Sequence, residues 1–389
     1  MPWREVSVMD QRREFVLLAM QEGVNRRELC RRFGISPDVG YKWLGRWAAN
    51  GELADRSRRP HASPARTDGP IEACLLAVRD AHPAWGARKI WKCLDREGMK
   101  PPAISTVHEI LRRHGRVVAP PGGPRACQRF EKPAPNLLWQ MDFKGWVRLA
   151  NGAQCHPLTV VDDHSRYAVC LSACANQQRT TVTAALEPAF RCYGLPEAMF
   201  VDNGNPWGDP SGERWTRFGV WLLKLGVDLL HSRPYHPQSR GKNERFHRTL
   251  KAEVFALERF RDFAEVQRAF DAWRITYNLD RPHQALDLEV PASRYRPSAL
   301  AMPDRLPEVE YDEHEIVRTV STTKHYVSFK GRLWKVPKAF RGERVAIRPR
   351  STDGRYGIFF ASRQIATIDL TRSKSVSDVS EQASAMSPD

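Results

Sequence analysis

The sequence predicts a multidomain α/β protein with two helix-turn-helix units at the front, a mixed α/β core and a small C-terminal β-barrel. Three observations predict this class. Two triplets of short helical patterns precede residue 117, strand and helix patterns alternate from residue 136, and short strand patterns return after residue 307. With 389 residues, the chain is long enough for several domains, each with its own core.

The composition excludes a membrane protein and indicates a polyanionic partner. No apolar run approaches the ~20 residues that a bilayer span requires. The net charge is +16, and residues 1–132 hold 25 basic and 15 acidic side chains, a net of 25 − 15 = +10. The first third is therefore the first candidate for contact with nucleic acid. A basic surface without a dedicated ligand is the alternative interpretation. The net charge does not distinguish DNA from RNA as the partner.

The N-terminal residues predict a cytoplasmic protein. They lack the basic stretch, apolar segment and small-residue cleavage site of a signal peptide. The eight cysteines show no paired spacing, so we expect reduced and mostly buried thiols rather than a disulfide framework or a zinc knuckle.

The first predicted domain, residues 1–50, contains three short helices. Its first helix has an apolar stripe: Phe15, Leu17, Leu18 and Met20. Gly34 should end the second helix, and Ser36 should cap the third with Pro37 in its first turn. In a helix-turn-helix the third helix enters the major groove, so four side chains are expected nearest to DNA: Asp38, Tyr41, Lys42 and Arg46. A plain three-helix bundle is the alternative.

A basic linker, residues 51–69, follows. It is rich in Arg, Pro, Ser and Gly, and its arginines could follow a phosphate backbone: Arg56, Arg58, Arg59 and Arg66. A solvated tether is equally compatible. Residues 70–116 repeat the trihelical plan as a second helix-turn-helix or winged-helix-like domain, with Ser105 expected to cap its third helix. The proline-rich residues 117–135 predict a further linker.

Three acidic residues of the core occupy unusual positions. Asp142 lies inside an apolar strand, Asp202 ends another strand before Asn203, and Glu244 lies on a long helix. A carboxylate in an apolar strand is costly to bury unless it binds a cation or a partner. Three carboxylates suit Mg²⁺ or Mn²⁺, and two such ions ~3.5–4 Å apart would promote an in-line displacement at phosphorus.

The helix of Glu244 is strongly basic. With 3.6 residues per turn, Arg248 and Lys251 fall within about 40° of Glu244 on one face. Further basic residues lie around the start of the helix: Arg240, Lys242 and Arg245. A solvated basic helix is the alternative interpretation.

Five segments together resemble the core of DDE-type bacterial insertion-sequence transposases, which share a retroviral-integrase-like core. They are WQMDFKG (139–145), VVDDHSRY (160–167), VDNG (201–204), RPYHPQSRGKNERFHRTLK (233–251) and YNLDRPHQALDLEVPASRY (277–295). The resemblance covers about 131–300 and implies an RNase-H-like catalytic core over 136–300. It also implies that Asp142, Asp202 and Glu244 are catalytic and hold two Mg²⁺ ions, for which Mn²⁺ would substitute. The paired helix-turn-helix units are similar to the terminal-repeat-binding region of such transposases.

The resemblance further implies a reaction and its partners. The protein would bind the terminal inverted repeats, cut each end to expose a 3′-hydroxyl, and join it to target DNA by direct transesterification. Asp142 is expected to bridge both ions, and Arg248 and Lys251 to hold the DNA end. The implied state is a homo-oligomer, a dimer or larger, on double-stranded DNA in the bacterial nucleoid.

Three features depart from the family pattern. Between Asp202 and Glu244 lie 244 − 202 − 1 = 41 residues, more than in many relatives, which predicts a loop insertion within 205–215. Arg240 stands where many relatives have asparagine. The His/Cys zinc module in front of retroviral cores is not found.

Several neighbouring residues are expected to have structural roles. Asp162 and Asp163 should shape a hairpin turn. Hydrogen bonds or phosphate contacts are expected for three histidines: His164, His236 and His247. A possible zinc set is instead expected to pack in the core: Cys155, His156, Cys170 and Cys174.

The C-terminal region begins with a helical stretch, 260–286, whose apolar side should be core or a dimer face. Residues 307–372 form the predicted β-barrel. Its basic side chains are compatible with either DNA contact or protein assembly. Residues 373–389 should be disordered.

Two rival functions remain. One is a DNA-binding regulator with an inactive core, and the other is a structure-specific or RNA-cleaving nuclease of the same fold.

Overall fold

The computed structural model describes residues 7–57, 66–117, 131–208, 215–232 and 241–371. The chain divides into two compact units, residues 1–66 and 67–389. Some predictions lie outside the described residues: Arg58, Arg59, His236, Arg240 and the tail 373–389. In the described part, the helices are all too short or too polar to cross a bilayer.

The first unit contains three helices: α1 (Val8–Ala19), α2 (Arg26–Arg32) and α3 (Pro37–Asn50). The predicted start of α3 is confirmed, since the Ser36 side chain accepts a hydrogen bond from the Val39 N–H. The predicted stripe of α1 is partly wrong. Phe15 is buried, but Leu17 and Met20 are more than half exposed, because the helix turns the side chains of Phe15, Val16 and Ala19 inward.

The second unit begins with another helical triplet: α4 (Gly69–Ala81), α5 (Ala87–Arg96) and α6 (Ile104–Arg113). Its core is formed mainly by Leu75, Ile90 and Leu94 with apolar residues of α6. The prediction that Ser105 caps the third helix is wrong. The N-cap is Ala103, two residues before Ser105, so Ser105 lies within the first turn of the helix and no side chain caps it.

A six-stranded mixed sheet follows. Its strands are β1 (Trp139–Phe143), β2 (Val147–Arg148), β3 (Gln154–Asp162), β4 (Ala168–Cys174), β5 (Ala198–Val201) and β6 (Asp228–His231). The main order is β4-β3-β1-β5-β6, and the short β2 pairs the beginning of β3. β1, β3 and β4 are antiparallel neighbours, whereas β1, β5 and β6 run parallel.

Helices cover both faces of this sheet. One face packs against α7 (Arg179–Tyr193) and α8 (Arg217–Lys224), around Trp139, Phe190 and Phe218. The other packs against α9 (Gly241–Leu250) and α10 (Phe263–Ile275), around Phe246 and Phe270. Single π-helical turns, Lys251–Phe255 and Thr276–Asp280, extend α9 and α10, and 3₁₀ turns follow at Gln284–Leu286 and Pro291–Ser293. The apolar side of 260–286 is therefore core.

The C-terminal region contains two antiparallel sheets. Its strands are β7 (Ile316–Thr319), β8 (Tyr326–Phe329), β9 (Arg332–Lys335), β10 (Arg344–Pro349), β11 (Arg355–Phe360) and β12 (Arg363–Asp369). The order β12-β11-β10-β7 forms one sheet, and β8-β9 is a hairpin. The predicted small β-barrel is found only as these two antiparallel sheets, and the described strands do not show a closed barrel. β7 and β12 stay at opposite edges, and the sheet buries its apolar face with the hairpin around Trp334, Phe340 and Phe360 instead of closing on itself.

Candidate active site

Two of the three predicted acidic residues lie on neighbouring parallel strands: Asp142 within β1, and Asp202 directly after β5. Gln140 of β1 is in register with Phe200 of β5. Continued by two residues, this register places Asp202 opposite Asp142, on strands that lie ~4.8 Å apart. Because side chains alternate along a strand and Trp139 and Met141 face α7, the Asp142 carboxylate belongs to the opposite face of the sheet, whereas Asp202 directly follows the last residue of β5. Both residues are half-buried.

The Asp202 carboxylate is oriented by the chain that follows it. Its Oδ1 accepts hydrogen bonds from the Gly204 N–H, at 2.8 Å, and from the indole N–H of Trp207. Trp207 is 1% exposed and stacks on Phe143, with ring centroids 5.4 Å apart. This residue was not predicted from the sequence because it lies in the segment interpreted as a loop insertion. A large apolar side chain between proline and glycine, in a segment otherwise typical of a loop, is the signal that could have identified it.

The helix of Glu244 covers the same face of the sheet. Val161, which is paired with Gln140 across β1 and β3, packs in one cluster with Phe246 of α9. Glu244 itself is exposed. Within the described ranges, no three His, Cys, Asp or Glu side chains are close enough to bind one metal ion. The structure pairs the strands that carry the two aspartates and puts the Glu244 helix on the face of Asp142, but it does not assemble all three carboxylates.

A histidine connects α9 to the strand of Asp142. His247 Nε2 lies 2.8 Å from Thr159 Oγ1, and this hydroxyl donates to the Asp142 carbonyl at 2.9 Å. Because the hydroxyl proton is used on the carbonyl, the imidazole Nε2–H must donate to Oγ1, which selects the Nε2–H tautomer of the neutral ring. Burial lowers the pKa of His247 to about 4, and the Lys144 ammonium acts in the same direction.

This pKa makes the stability of the protein depend on pH. The folded pKa of about 4 lies below the ordinary 6.5, so the unfolded chain binds the proton first as the pH falls. We expect the stability contributed by neutral His247 to be lost between about pH 6.5 and pH 4. The variant His247→Gln keeps an N–H donor for Thr159 and should show a flatter decline in metal-free urea unfolding across this range. An equally steep decline in the variant would contradict the prediction.

A buried ion pair lies beside the same strand. Asp163, which is fully buried, accepts hydrogen bonds from Gln140 Nε2 at 2.7 Å and from the Lys132 N–H at 2.8 Å. Its Oδ1 also binds the Lys242 ammonium. Burial lowers the pKa of Lys242 to about 8. DNA contact by Lys242 stays a prediction, but its ammonium already has a carboxylate partner.

The other predicted DNA contacts differ in exposure. Tyr41 and Lys42 are exposed on α3, whereas the Arg46 guanidinium donates to the Ala54 carbonyl at 3.2 Å. Four further predicted contacts are exposed: Arg56, Arg245, Arg248 and Lys251. The structure therefore leaves most of these cations at the surface, as phosphate contact requires.

The neighbouring residues with expected structural roles behave largely as predicted. Asp162 accepts hydrogen bonds from the Ser165 N–H and hydroxyl at 2.7 and 2.6 Å, which confirms its role in the turn. Burial raises the pKa of Asp162. His164 Nδ1 lies 2.8 Å from the Lys132 carbonyl. Three cysteines pack on opposite faces of the sheet: Cys155 on the α9 face, and Cys170 and Cys174 on the α7 face.

Family models match successive parts of the chain. A helix-turn-helix domain matches residues 11–61 and a homeodomain-like domain matches 39–111. Integrase core domains match 132–237 and 225–291, and the C-terminal domain of the IS481 family transposases matches 315–376. The chain therefore contains an integrase core preceded by helix-turn-helix-type domains.

Relatives come from insertion elements and retroviruses. The uncharacterized 31.7 kDa protein of insertion element IS407 from Burkholderia multivorans is 26% identical over 291 residues, 72% of this chain and 96% of that protein. The uncharacterized 39.2 kDa protein of IS476 from Xanthomonas euvesicatoria is 26% identical, over 57% of this chain and 63% of that protein. The Gag-Pro-Pol polyprotein of Mason-Pfizer monkey virus is 26% identical over 32% of this chain and 6% of the polyprotein. These matches confirm the resemblance to insertion-sequence transposases with a retroviral-integrase-like core.

Solved structures are similar at a lower level. A chain of the simian T-cell lymphotropic virus intasome, in complex with PP2A regulatory subunit B56 gamma, has a TM-score of 0.39 and 13% identity, over 76% of this chain and 96% of that chain. The HTLV-2 integrase catalytic core domain in complex with magnesium has a TM-score of 0.31 and 14% identity, over 42% of this chain and 97% of that domain. TM-scores this low support no conclusion about this chain.

Proposed function

We propose that the protein is a transposase that binds the terminal inverted repeats of an insertion sequence, cuts the element ends and joins them to target DNA. The observation that carries the proposal is the β1–β5 register. Continued by two residues, it would put Asp202 beside Asp142, whose side chain belongs to the sheet face that the Glu244 helix covers. The integrase core and helix-turn-helix matches support the same function.

The donor chemistry of this face fits a divalent cation. Asp142 and Asp202 present carboxylate oxygens, the hard ligands that Mg²⁺ and Mn²⁺ prefer, and Glu244 lies on the helix above them. We assign these three residues as the ones that hold two Mg²⁺ ions, with Mn²⁺ as a substitute. When bound, such ions make water more acidic and stabilise charge on a leaving oxygen.

The reaction consists of two displacements at phosphorus. In the first, a water oxygen bonds to the scissile phosphorus at the element end as the bond to the 3′-oxygen breaks, which leaves a 3′-hydroxyl. In the second, this hydroxyl bonds in line to a target phosphorus, and the target's 3′-oxygen departs. The protein forms no covalent intermediate. Arg248 and Lys251, both exposed, neutralise phosphates of the bound end.

The remaining assignments concern binding and assembly. Tyr41, Lys42 and Arg46 of the domain 1–50 face the repeat sequence, and residues 70–116 bind a second part of it. Two units on one linker increase affinity through effective concentration. Joining two ends requires a dimer or larger assembly on DNA.

A cleavage assay tests this function. A labelled duplex with the native element end is incubated with Mg²⁺ and either wild-type protein or Glu244→Gln, and a duplex with a scrambled end serves as the control. We expect nicking and joining of the native end only, and a loss of about a hundredfold or more in the variant. End binding without chemistry in either protein would indicate the regulator, and equal cutting of both duplexes would indicate the nuclease.

A further inference from the structure

The second helical triplet carries a basic face that meets the catalytic region. Lys89, Lys92 and Arg96 lie three and four residues apart on α5, so they share one side of that helix. Lys92 Nζ lies 3.2 Å from Glu289 Oε1, and the Arg96 guanidinium donates to the Asp280 carbonyl at 3.1 Å. These cations are occupied by protein oxygens rather than available to phosphate.

Lys89 has the most buried partner of the three. Its Nζ lies 3.8 Å from Glu253 Oε1, and the two side chains are 20% and 9% exposed. The same carboxylate accepts hydrogen bonds from Arg281 Nε at 2.9 Å and from the Trp273 indole N–H at 3.0 Å. Burial lowers the pKa of Lys89 to about 8, and Arg281 acts in the same direction. The ammonium therefore belongs to an enclosed cluster that we call the Glu253 cluster, formed by Lys89, Glu253, Trp273 and Arg281.

Glu253 belongs to the helix that carries Glu244. The α-helix ends at Leu250 with helical backbone angles, and the π turn Lys251–Phe255 continues it without a break. Arg281 also reaches back to the Thr249 hydroxyl at 3.5 Å. The Glu253 cluster thus fixes the C-terminal end of the helix whose N-terminal part carries Glu244.

We propose that Lys89 is a positioning residue that connects the second helical triplet to the helix of Glu244 through Glu253. A helix is stiff along its axis, so a fixed end constrains the position of a side chain nine residues away. Docking of the triplet on an element end would then stabilise the arrangement in which Glu244 serves the reaction. The inference rests on the proposed function for its catalytic consequence, but the contact between triplet and helix stands by itself.

The first test measures hydrogen exchange in the full chain without DNA. In Lys89→Gln, amides of residues 246–256 should exchange roughly tenfold faster than in the wild type, while the core of the triplet keeps its protection. Glu253→Gln should accelerate exchange of the same amides. Lys89→Arg, which keeps the positive charge, should show the wild-type exchange rates. Arg88→Gln is the matched control, because it removes one charge from the exposed side of the same helix. Acceleration in Arg88→Gln, or loss of protection throughout the triplet in Lys89→Gln, would overturn the proposal.

The second test measures end binding and cleavage separately. Lys89→Gln should bind the element end within about twofold of the wild type but cut it roughly tenfold more slowly at saturating DNA, and Lys89→Arg should recover the rate. Weaker end binding with an unchanged saturated rate would identify Lys89 as a DNA contact and overturn the proposal. If the wild type does not cut, the proposed function fails, and the exchange experiment still decides whether Lys89 positions the helix.

Discussion

Asp142→Asn should abolish end cleavage and strand transfer while leaving binding to the element end within about twofold of the wild type. Asparagine keeps the size of the side chain but removes its charge. Metal-assisted catalysis contributes several kcal/mol, and each 1.4 kcal/mol is a factor of ten, so the rate should fall about a thousandfold or more. The effect should exceed that of Glu244→Gln, because we expect Asp142 to serve both ions and Glu244 only one. Single-turnover cleavage of a labelled end, with a gel-shift titration of the same duplex, measures both quantities.

A matched control separates this loss from a general effect of charge. Glu258→Gln removes one exposed carboxylate just after the helix of Glu244 and should leave both quantities unchanged. Cleavage by Asp142→Asn at the wild-type rate would show that Asp142 is not a catalytic residue. Loss of end binding in the same variant would instead indicate a folding defect, which thermal unfolding would reveal.

The carboxylates could be recognised from the sequence, but the pairing of their two strands could not. Asp142 stood out because a charge interrupts an apolar strand, and Asp202 because Asn203 and Gly204 follow it. That they are neighbours depends on a parallel pairing between strands about sixty residues apart, and no local pattern encodes such a pairing. The sequence was sufficient to predict features that depend only on neighbouring residues, such as the cap by Ser36 at the start of α3.

The incorrect predictions have equally specific physical causes. Ser105 was misplaced because the end of a helix can shift by one or two residues when no side chain caps it. The barrel was overpredicted because short strands and turns indicate antiparallel pairing but not closure, which also requires the two edge strands to meet. The Asp163 partner of Lys242 was missed because it lies 79 residues earlier in the sequence, and the pattern of the basic helix indicated only DNA contact or exposure to solvent.

The ion pair of Asp163 and Lys242 gives the largest expected change in stability. Asp163→Asn leaves the buried Lys242 ammonium without its counter-charge, and the new amide N–H₂ cannot accept the hydrogen bonds that the carboxylate accepts. Removing one partner of a buried ion pair typically costs 3–5 kcal/mol, so we expect the free energy of unfolding to fall by about 4 kcal/mol at pH 7. Urea unfolding of the full chain, monitored by tryptophan fluorescence, measures the loss.

The dependence on pH and a second substitution distinguish charge from shape. The folded pKa of Lys242, about 8 in the wild type, lies below its ordinary 10.5 and should fall further in Asp163→Asn. Between pH 7 and about pH 8 the folded wild type still holds the proton that the folded variant has released, so the stability deficit should shrink as the pH rises to about 8 and then level off. Adding Lys242→Met removes the stranded charge and should restore most of the stability at pH 7. A deficit independent of pH and not relieved by Lys242→Met would show that Asp163 stabilises the fold through its hydrogen bonds to Gln140 and the Lys132 N–H rather than through the ion pair.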